Sequence, residues 1–472
     1  MRSPARAIWL SCLLASGCLP ALPHGRARAP NKVVPESFVG QNVDKDGKNS
    51  GMLKWNEFFT DPKLKVLVDT ALKNNQELNI IALEIDIAQN EVMARRSEIW
   101  PKVGFGVGAG IEKVGQYTSQ GVSDDAHGVA QNLPSFGFGF SFSWEIDIWS
   151  KLRNATKAAV LRFLSSQEGK KFAVTILVGE VANSYYELMA LDAQLEVVNQ
   201  NIEIQTSALV MMRLEKEAAK VTELAVKRFE AEVLKNQSRR YVIQQQIVET
   251  ENRINFLVGR FPQHVDRSAQ SFVELVPAIV HTGIPSQLLE NRPDVQQAEL
   301  ELKASELDFK VAKASFYPTL GISGSIGYQA FDFLKIVSTP ASLVYGLAAD
   351  IFAPLFNRKA LTASYFTANS KQMQAVYKYE RTILAGYTEV VKQLSMIKNL
   401  EKSNELQTQQ VEKLTQSIGI SSRLFTAARA DYMEVLLTRR DTLESQLELI
   451  ENKKRQMTAV VGLYQALGGG WR

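Results

Sequence analysis

The chain has 472 residues, 45% hydrophobic and 22% charged, with a formal net charge of +4, four histidines and two cysteines. That composition excludes a disordered, collagen-like or disulfide-framework chain and fits one or two compact domains. Both cysteines, Cys12 and Cys18, lie near the N-terminus, which leaves the rest of the chain without a thiol nucleophile or a Cys-ligated metal. The histidines, His24, His127, His264 and His281, never fall at the i, i+3 or i, i+4 spacing that puts ligands on one helix face. No Gly-rich phosphate loop, nucleophile elbow or His-Glu-x-x-His stretch occurs, so neither enzyme chemistry nor a cofactor or metal is expected.

In chain order, Arg2 and Arg6 precede a short apolar stretch and then Ser16-Gly17-Cys18, the layout of a secretory signal. The run Leu14-Ala15-Ser16-Gly17-Cys18 resembles a bacterial lipobox, with Ala15 where Leu is most common. Lipidation at Cys18 after removal of residues 1–17 is therefore expected, against the alternative of plain cleavage near Ala21 or Ala29. One acyl chain binds membranes only marginally, so such a lipid is an auxiliary anchor. The signal takes Arg2 and Arg6 with it and leaves a nearly neutral chain, for which nucleic acid is not an expected partner. No later run of 18 apolar residues could span a bilayer as a helix, so any entry into a membrane must use strands. Asp44-Lys45-Asp46-Gly47 places its glycine too early for an EF-hand loop, and residues 40–51 read as a polar surface linker.

Four segments alternate with period two. In the clearest, Phe136, Phe138, Phe140, Phe142, Trp144, Ile146 and Ile148 alternate with small or polar residues from Gly137 to Asp147. Val103, Phe105, Val107, Ala109 and Ile111 face away from four glycines. Leu320, Ile322, Ile326 and Tyr328 oppose a Gly/Ser face, and Leu343, Tyr345, Leu347 and Ile351 form a weaker fourth case. A soluble sheet would carry Lys and Glu on its wet face. Here that face is mostly Gly and Ser, and strands of about 10 residues fit tilted membrane strands with an aromatic lipid side. Four strands are too few to close a barrel, and an open edge is not viable in lipid, so the barrel must be shared among several chains.

Residues 150–260 and 357–467 contain no proline and few glycines, which predicts two pairs of very long helices. A helical run of some 60 residues would reach about 90 Å, beyond a compact domain. Leu436, Leu443, Leu447, Ile450, Met457, Val461 and Tyr464 form a coiled-coil-like seam, with Arg440 and Lys454 at seam positions that suggest partial wetting. The pattern fits an ordinary antiparallel hairpin equally well.

The two halves repeat. A shift of 217 residues superimposes Leu72, Asn74, Leu83, Glu84, Pro101 and Gly104 on Leu289, Asn291, Leu300, Glu301, Pro318 and Gly321. In both copies a helix stops at an aromatic-Pro pair, Trp100-Pro101 or Tyr317-Pro318, and a strand follows. A shift of 209 then pairs Leu257-Val258-Gly259 with Ala466-Leu467-Gly468, each glycine a candidate helix C-cap. Each half reads helix, strand, strand, long helix, long helix. The division expected is 1–17 signal, 18–60 extended linker, 61–265 first repeat, 266–284 linker, 285–467 second repeat and 468–472 tail.

The runs SEIWPKV, WEIDIWSKLRNATKAA, LLENRPDVQQAE, AKASFYPTLG, FAPLFNRKA, ARADYMEVLLTRRDTLE and LYQALGGGW resemble the TolC family of outer-membrane efflux channels. The nearest branch is that of the lipoproteins that work with resistance-nodulation-division (RND) pumps. The resemblance covers about residue 50 to the C-terminus. It implies an α+β membrane protein and a homotrimer, with four strands per chain making a 12-stranded barrel on a 12-helix periplasmic α-barrel. It implies a passive conduit in the outer membrane that spans the periplasm and exports drugs or other small toxic compounds. Its partners would be a periplasmic membrane-fusion adaptor, an inner-membrane RND pump and outer-membrane lipid.

By the same resemblance the closed end lies at the two turns between paired long helices. There Asp431 and Glu434 are the expected gate acids, Arg429 and Tyr432 the latch candidates, and Glu223 the acid of the first turn. The turns carry Ala219 and Ala428 where relatives often have glycine, and Ala225 stands where the first turn usually has an acid. Glu145 and Asp147 are expected either to line the lower barrel lumen or to hydrogen-bond in the strand-to-helix transition. An adaptor interface is expected around 213–228 and 418–436. A protein-secretion channel of the same architecture and a soluble periplasmic coiled-coil scaffold are the alternative readings.

Overall fold

The computed structural model describes residues 19–38, 49–268, 271–354, 358–427 and 429–472. Cys18 and Asp44-Lys45-Asp46-Gly47 lie outside the described residues. The first repeat comprises α1 (Pro62–Asn74), α2 (Gln76–Ser97), β1 (Lys102–Glu112), a surface helix α3 (Ser119–Ala126), β2 (Leu133–Ile146), α4 (Lys151–Glu217) and α5 (Glu223–Leu257). The second comprises α6 (Pro293–Ala314), β3 (Thr319–Ala330), β4 (Leu343–Phe352), α7 (Lys359–Thr426) and α8 (Tyr432–Ala466). Pro101 and Pro318 each fall between a helix and the strand it feeds, where a missing amide and fixed φ stop the helix. No described helix is long and apolar enough to cross a membrane.

The strands form one antiparallel sheet in the order β1-β2-β3-β4. Its register sets Val103 beside Phe142, Phe138 beside Tyr328 and Ile326 beside Tyr345, so the apolar sides of all four strands share one face. Aromatic neighbours pack across it, Phe105 on Phe140 at 5.1 Å and Phe138 on Tyr328 at 5.6 Å between ring centroids.

Two compact units emerge, and they cut across the repeats. One takes 85–165, 299–378 and the described part of the stretch up to Pro30; the other takes Asn31–Glu84, Ser166–Ala298 and Tyr379–Arg472. They differ from the sequence repeats because each repeat gives two strands to one sheet.

In the second unit the duplication is visible bond by bond. Gly259 (φ +70°) and Gly468 (φ +87°) end α5 and α8 in the left-handed region. Arg260 N donates to Asn255 O at 2.9 Å, and Gly469 N to Tyr464 O at 3.0 Å, the Schellman arrangement in both copies. A Cβ on Gly259 would run into the carbonyl of Asn74, and one on Gly468 would lie 2.5 Å from that of Asn291. Asn75 Nδ2 donates to Leu257 O at 2.9 Å; at the equivalent place Arg292 Nη1 donates to Ala466 O at 2.8 Å. Arg292 is buried, held by both Asp294 oxygens at 3.0 and 2.7 Å and by Glu389 at 2.9 Å. Burial pulls its pKa down, but these carboxylates outweigh that and leave it raised.

The main core gathers Tyr185, Leu188, Ile254, Val461 and Tyr464, with Phe58 stacked on Tyr464 at 3.9 Å. Of the seam residues, Leu436, Leu443, Ile450, Met457, Val461 and Tyr464 are buried and Leu447 is half-buried. Lys454 and Arg440 are half-buried and paired, Lys454 with Glu451 at 2.9 Å and Arg440 with Asp441 at 3.2 Å. The described end of the expected surface linker corrects that reading. Asn49, Ser50 and Gly51 are buried because Ser50 N bonds His281 O at 2.8 Å and Gly51 packs against the Leu467 backbone.

Gly468→Ala adds a Cβ both to a left-handed backbone and against a carbonyl, so a loss of about 1–3 kcal/mol is expected. Thermal unfolding in detergent reads it; an unchanged midpoint would show that the cap does not hold α8.

Candidate lumen face and gate

In the unit that holds the sheet, one face is apolar and open. Val107, Tyr345 and Leu347 are 76%, 81% and 77% exposed, values that no water-facing strand of a packed sheet needs and that lipid accommodates. The opposite face carries Gly104, Gly106, Gly108, Ser141, Ser143, Ser323, Ser325 and Gly346. At its helix-proximal end lies a cavity of about 670 Å³, lined among others by Lys102, Ser143, Glu145, Lys151, Ser323 and Asp350.

Glu145 is on this polar face and pairs with Lys151 Nζ at 2.5 Å. Asp147 takes the other expected role. It follows the last residue of β2, its side chain is buried, and it accepts from the amides of Leu152 at 3.1 Å and Arg153 at 2.9 Å. It thus caps α4 across Ser150, which sits at φ +59°. Burial pushes its pKa up, but the backbone donors of Arg153 and Leu152 and the Arg153 guanidinium outweigh that and hold it below the usual carboxylate range.

In the other unit, the turns between long helices lie side by side. Leu209, Met212, Val226, Phe229, Val233 and Leu436 form one core, with Tyr432 and Met433 packed against it. The first turn runs from α4 to Thr222, whose hydroxyl accepts from Ala225 N at 3.3 Å. Lys220 N donates to Glu215 O at 2.9 Å, and 209 residues later Arg429 N donates to Leu424 O at 2.8 Å. Ala219 lies at φ +56°, the position a glycine ordinarily fills.

The acids of the two turns differ. Glu223 is tied to Lys216 and faces Lys227 at 4.0 Å, and the Lys216 bond holds its pKa below the usual carboxylate range. Asp431 is the N-cap residue of α8 without a side-chain cap bond, and Glu434 stands in the first turn. Both are exposed, and among the described residues neither carboxylate has an ion pair or hydrogen bond. Arg429 is exposed as well, whereas Tyr432 is half-buried in the shared core. Reading the sequence missed Asn75 and Arg292 as helix-end clamps; the 217-residue offset that aligns them was the available signal.

A family model described as outer membrane efflux protein matches residues 67–260 and 284–469. The chain belongs to the outer membrane efflux protein family. The curated relatives of this family include the pyoverdine export outer membrane protein OpmQ of Pseudomonas putida, 28% identical over 421 residues, 89% of this chain and 88% of that protein. The cation efflux system protein CusC of Escherichia coli is 24% identical over 476 residues, covering both chains in full. Among solved structures, a membrane protein from Pseudomonas aeruginosa superimposes with a TM-score of 0.85 at 22% identity, covering 96% of this chain and all of that one. The open state of the Neisseria gonorrhoeae MtrE outer membrane channel gives 0.83 at 20% identity over 96% and 99%. The fold is therefore that of the TolC-like outer-membrane channels, and this outer membrane efflux protein is a channel component, not a member of an enzyme family.

A non-glycine residue in the left-handed region costs roughly 1–2 kcal/mol, so Ala219→Gly should stabilise the first turn by about 1 kcal/mol. Amide exchange across 215–222 should slow; faster exchange would mean that the alanine is what stiffens the turn.

Proposed function

We propose that three copies of this chain close into one passive conduit that carries small toxic compounds out through the outer membrane. The observation that carries the reading is the sheet: a four-stranded ribbon with an apolar, exposed face and two edges that are unpaired among the described residues. Two copies would give eight strands, a barrel whose interior side chains just fill it. The Gly and Ser face here supplies little to fill such an interior, which favours the wider ring of three implied by the family resemblance.

The cargo reading is supported by relatives named for export of pyoverdine, toluene and cations, all small species. A periplasmic adaptor and an inner-membrane RND pump complete the assembly. The adaptor's site is the exposed groove between α7 and α8 at the turn, lined by Ile420, Leu424, Leu437, Glu434 and Asp441. Cys18 serves as a lipid anchor. Support comes from the chain just after it, which lies on α7 through Asn369 Nδ2 to Gly25 O at 2.9 Å and Arg28 over the Tyr377 ring at 5.5 Å. Gly25 thus meets α7 about 15 Å from its start beside β4, and seven residues span at most about 25 Å.

A channel closed by a ring of acids at the turns attracts cations, and the two carboxylates without partners among the described residues of these turns, Asp431 and Glu434, are the residues to form it. In planar bilayers, Asp431→Ala with Glu434→Ala should raise single-channel conductance or reduce cation selectivity. Unchanged conductance and selectivity would remove both residues from the gate, and no conductance from the unaltered protein would defeat the conduit reading itself.

A further inference from the structure

Both free edges of the sheet end at the helix-proximal side with a charged residue on the polar face. Lys102 opens β1, and Asp350 stands near the close of β4. The register proves the shared face: Lys102 lies beside Ser143, Ser143 beside Ser323, Glu145 beside Gly321 and Gly321 beside Asp350. The third charge there, Glu145, is neutralised within the chain by Lys151 at 2.5 Å. Lys102 and Asp350 are both exposed, and among the described residues neither side chain has an ion pair or hydrogen bond.

We infer that Lys102 of one copy pairs with Asp350 of the next across the seam where β1 meets β4, so that opposite charges set the register of assembly. This rests on the multi-copy barrel proposed above. Going round the chain the strands alternate in direction, so β1 and the next copy's β4 meet antiparallel, start against end. Continuity of the apolar face allows only registers that keep even-numbered residues of both strands on one side. A register one two-residue step of stagger from the fullest puts Lys102 directly opposite Asp350, and the fullest itself, with Lys102 opposite Phe352 and Asp350 opposite Gly104, puts them on a diagonal. Those positions are about 5 Å and about 7–8 Å apart at Cβ, both within a lysine's reach. Within one chain the same residues sit on strands three places apart, about 14 Å, beyond effective coupling at physiological salt. A slipped register would leave a lysine and a carboxylate unpaired beside glycines, so the pair also acts against misassembly.

The test is a charge-reversal cycle on the full-length protein, read as the temperature at which the oligomer dissociates in detergent. Lys102→Glu alone and Asp350→Lys alone should each lower that temperature, and the double variant should recover most of the loss. Losses that simply add, with the oligomer otherwise intact, would overturn the pairing while leaving the shared barrel standing. A monomer from the unaltered protein would overturn both. Folding of each variant is checked independently by circular dichroism of the helices, and a variant that fails to fold is replaced by Lys102→Gln or Asp350→Asn. Those must show the same coupling, in smaller degree, for the inference to stand.

Discussion

Backbone amides and carbonyls on a sheet edge find no water in hydrocarbon, and each group left unsatisfied there costs several kcal/mol. This constraint governs the molecule. The chain builds four strands with one face suited to lipid, then leaves an 11-residue strand at one edge and a 10-residue strand at the other unpaired. Among the described residues, no strand pairs with those edges. On the reading proposed above, the remedy comes from further copies, which makes the assembled barrel, not the single chain, the unit whose stability matters.

The same economy appears at the helices. Both long hairpins carry the same backbone bond at their turns, from Lys220 N to Glu215 O and from Arg429 N to Leu424 O, and each returning helix ends at a left-handed glycine pressed against an asparagine carbonyl. These fixed ends contrast with the turns, where Asp431 and Glu434 have no partner within the described residues. On the gate reading proposed above, this uncompensated charge at a helix start without a side-chain cap is what partners act on to shift the arrangement. Glu223 in the first turn, by contrast, is tied to Lys216.

Much of this was legible in the residues alone. The period-two runs located all four strands because membrane strands separate lipid and lumen faces more sharply than a soluble sheet does. The two long proline-free stretches gave the helix pairs, and the 217- and 209-residue offsets gave the duplication down to its capping glycines. What escaped was set by contacts between distant segments. Asn49–Gly51 looked like surface because its burial depends on His281 and Leu467, far along the chain. For Asp147 the sequence left two roles open, and because β2 ends at Ile146 its carboxylate takes the one in the strand-to-helix transition, capping α4. Lys102 and Asp350 stood out only once the register put them on one face.

The central claim is that the chain completes its sheet with copies of itself. The most direct measurement is the mass of the purified full-length protein in mild detergent, by native mass spectrometry after release from the micelle. The account predicts three times the chain mass of the processed protein with no stable monomer. A monodisperse, folded monomer would contradict it, since the sheet edges would then have to be satisfied in some other way.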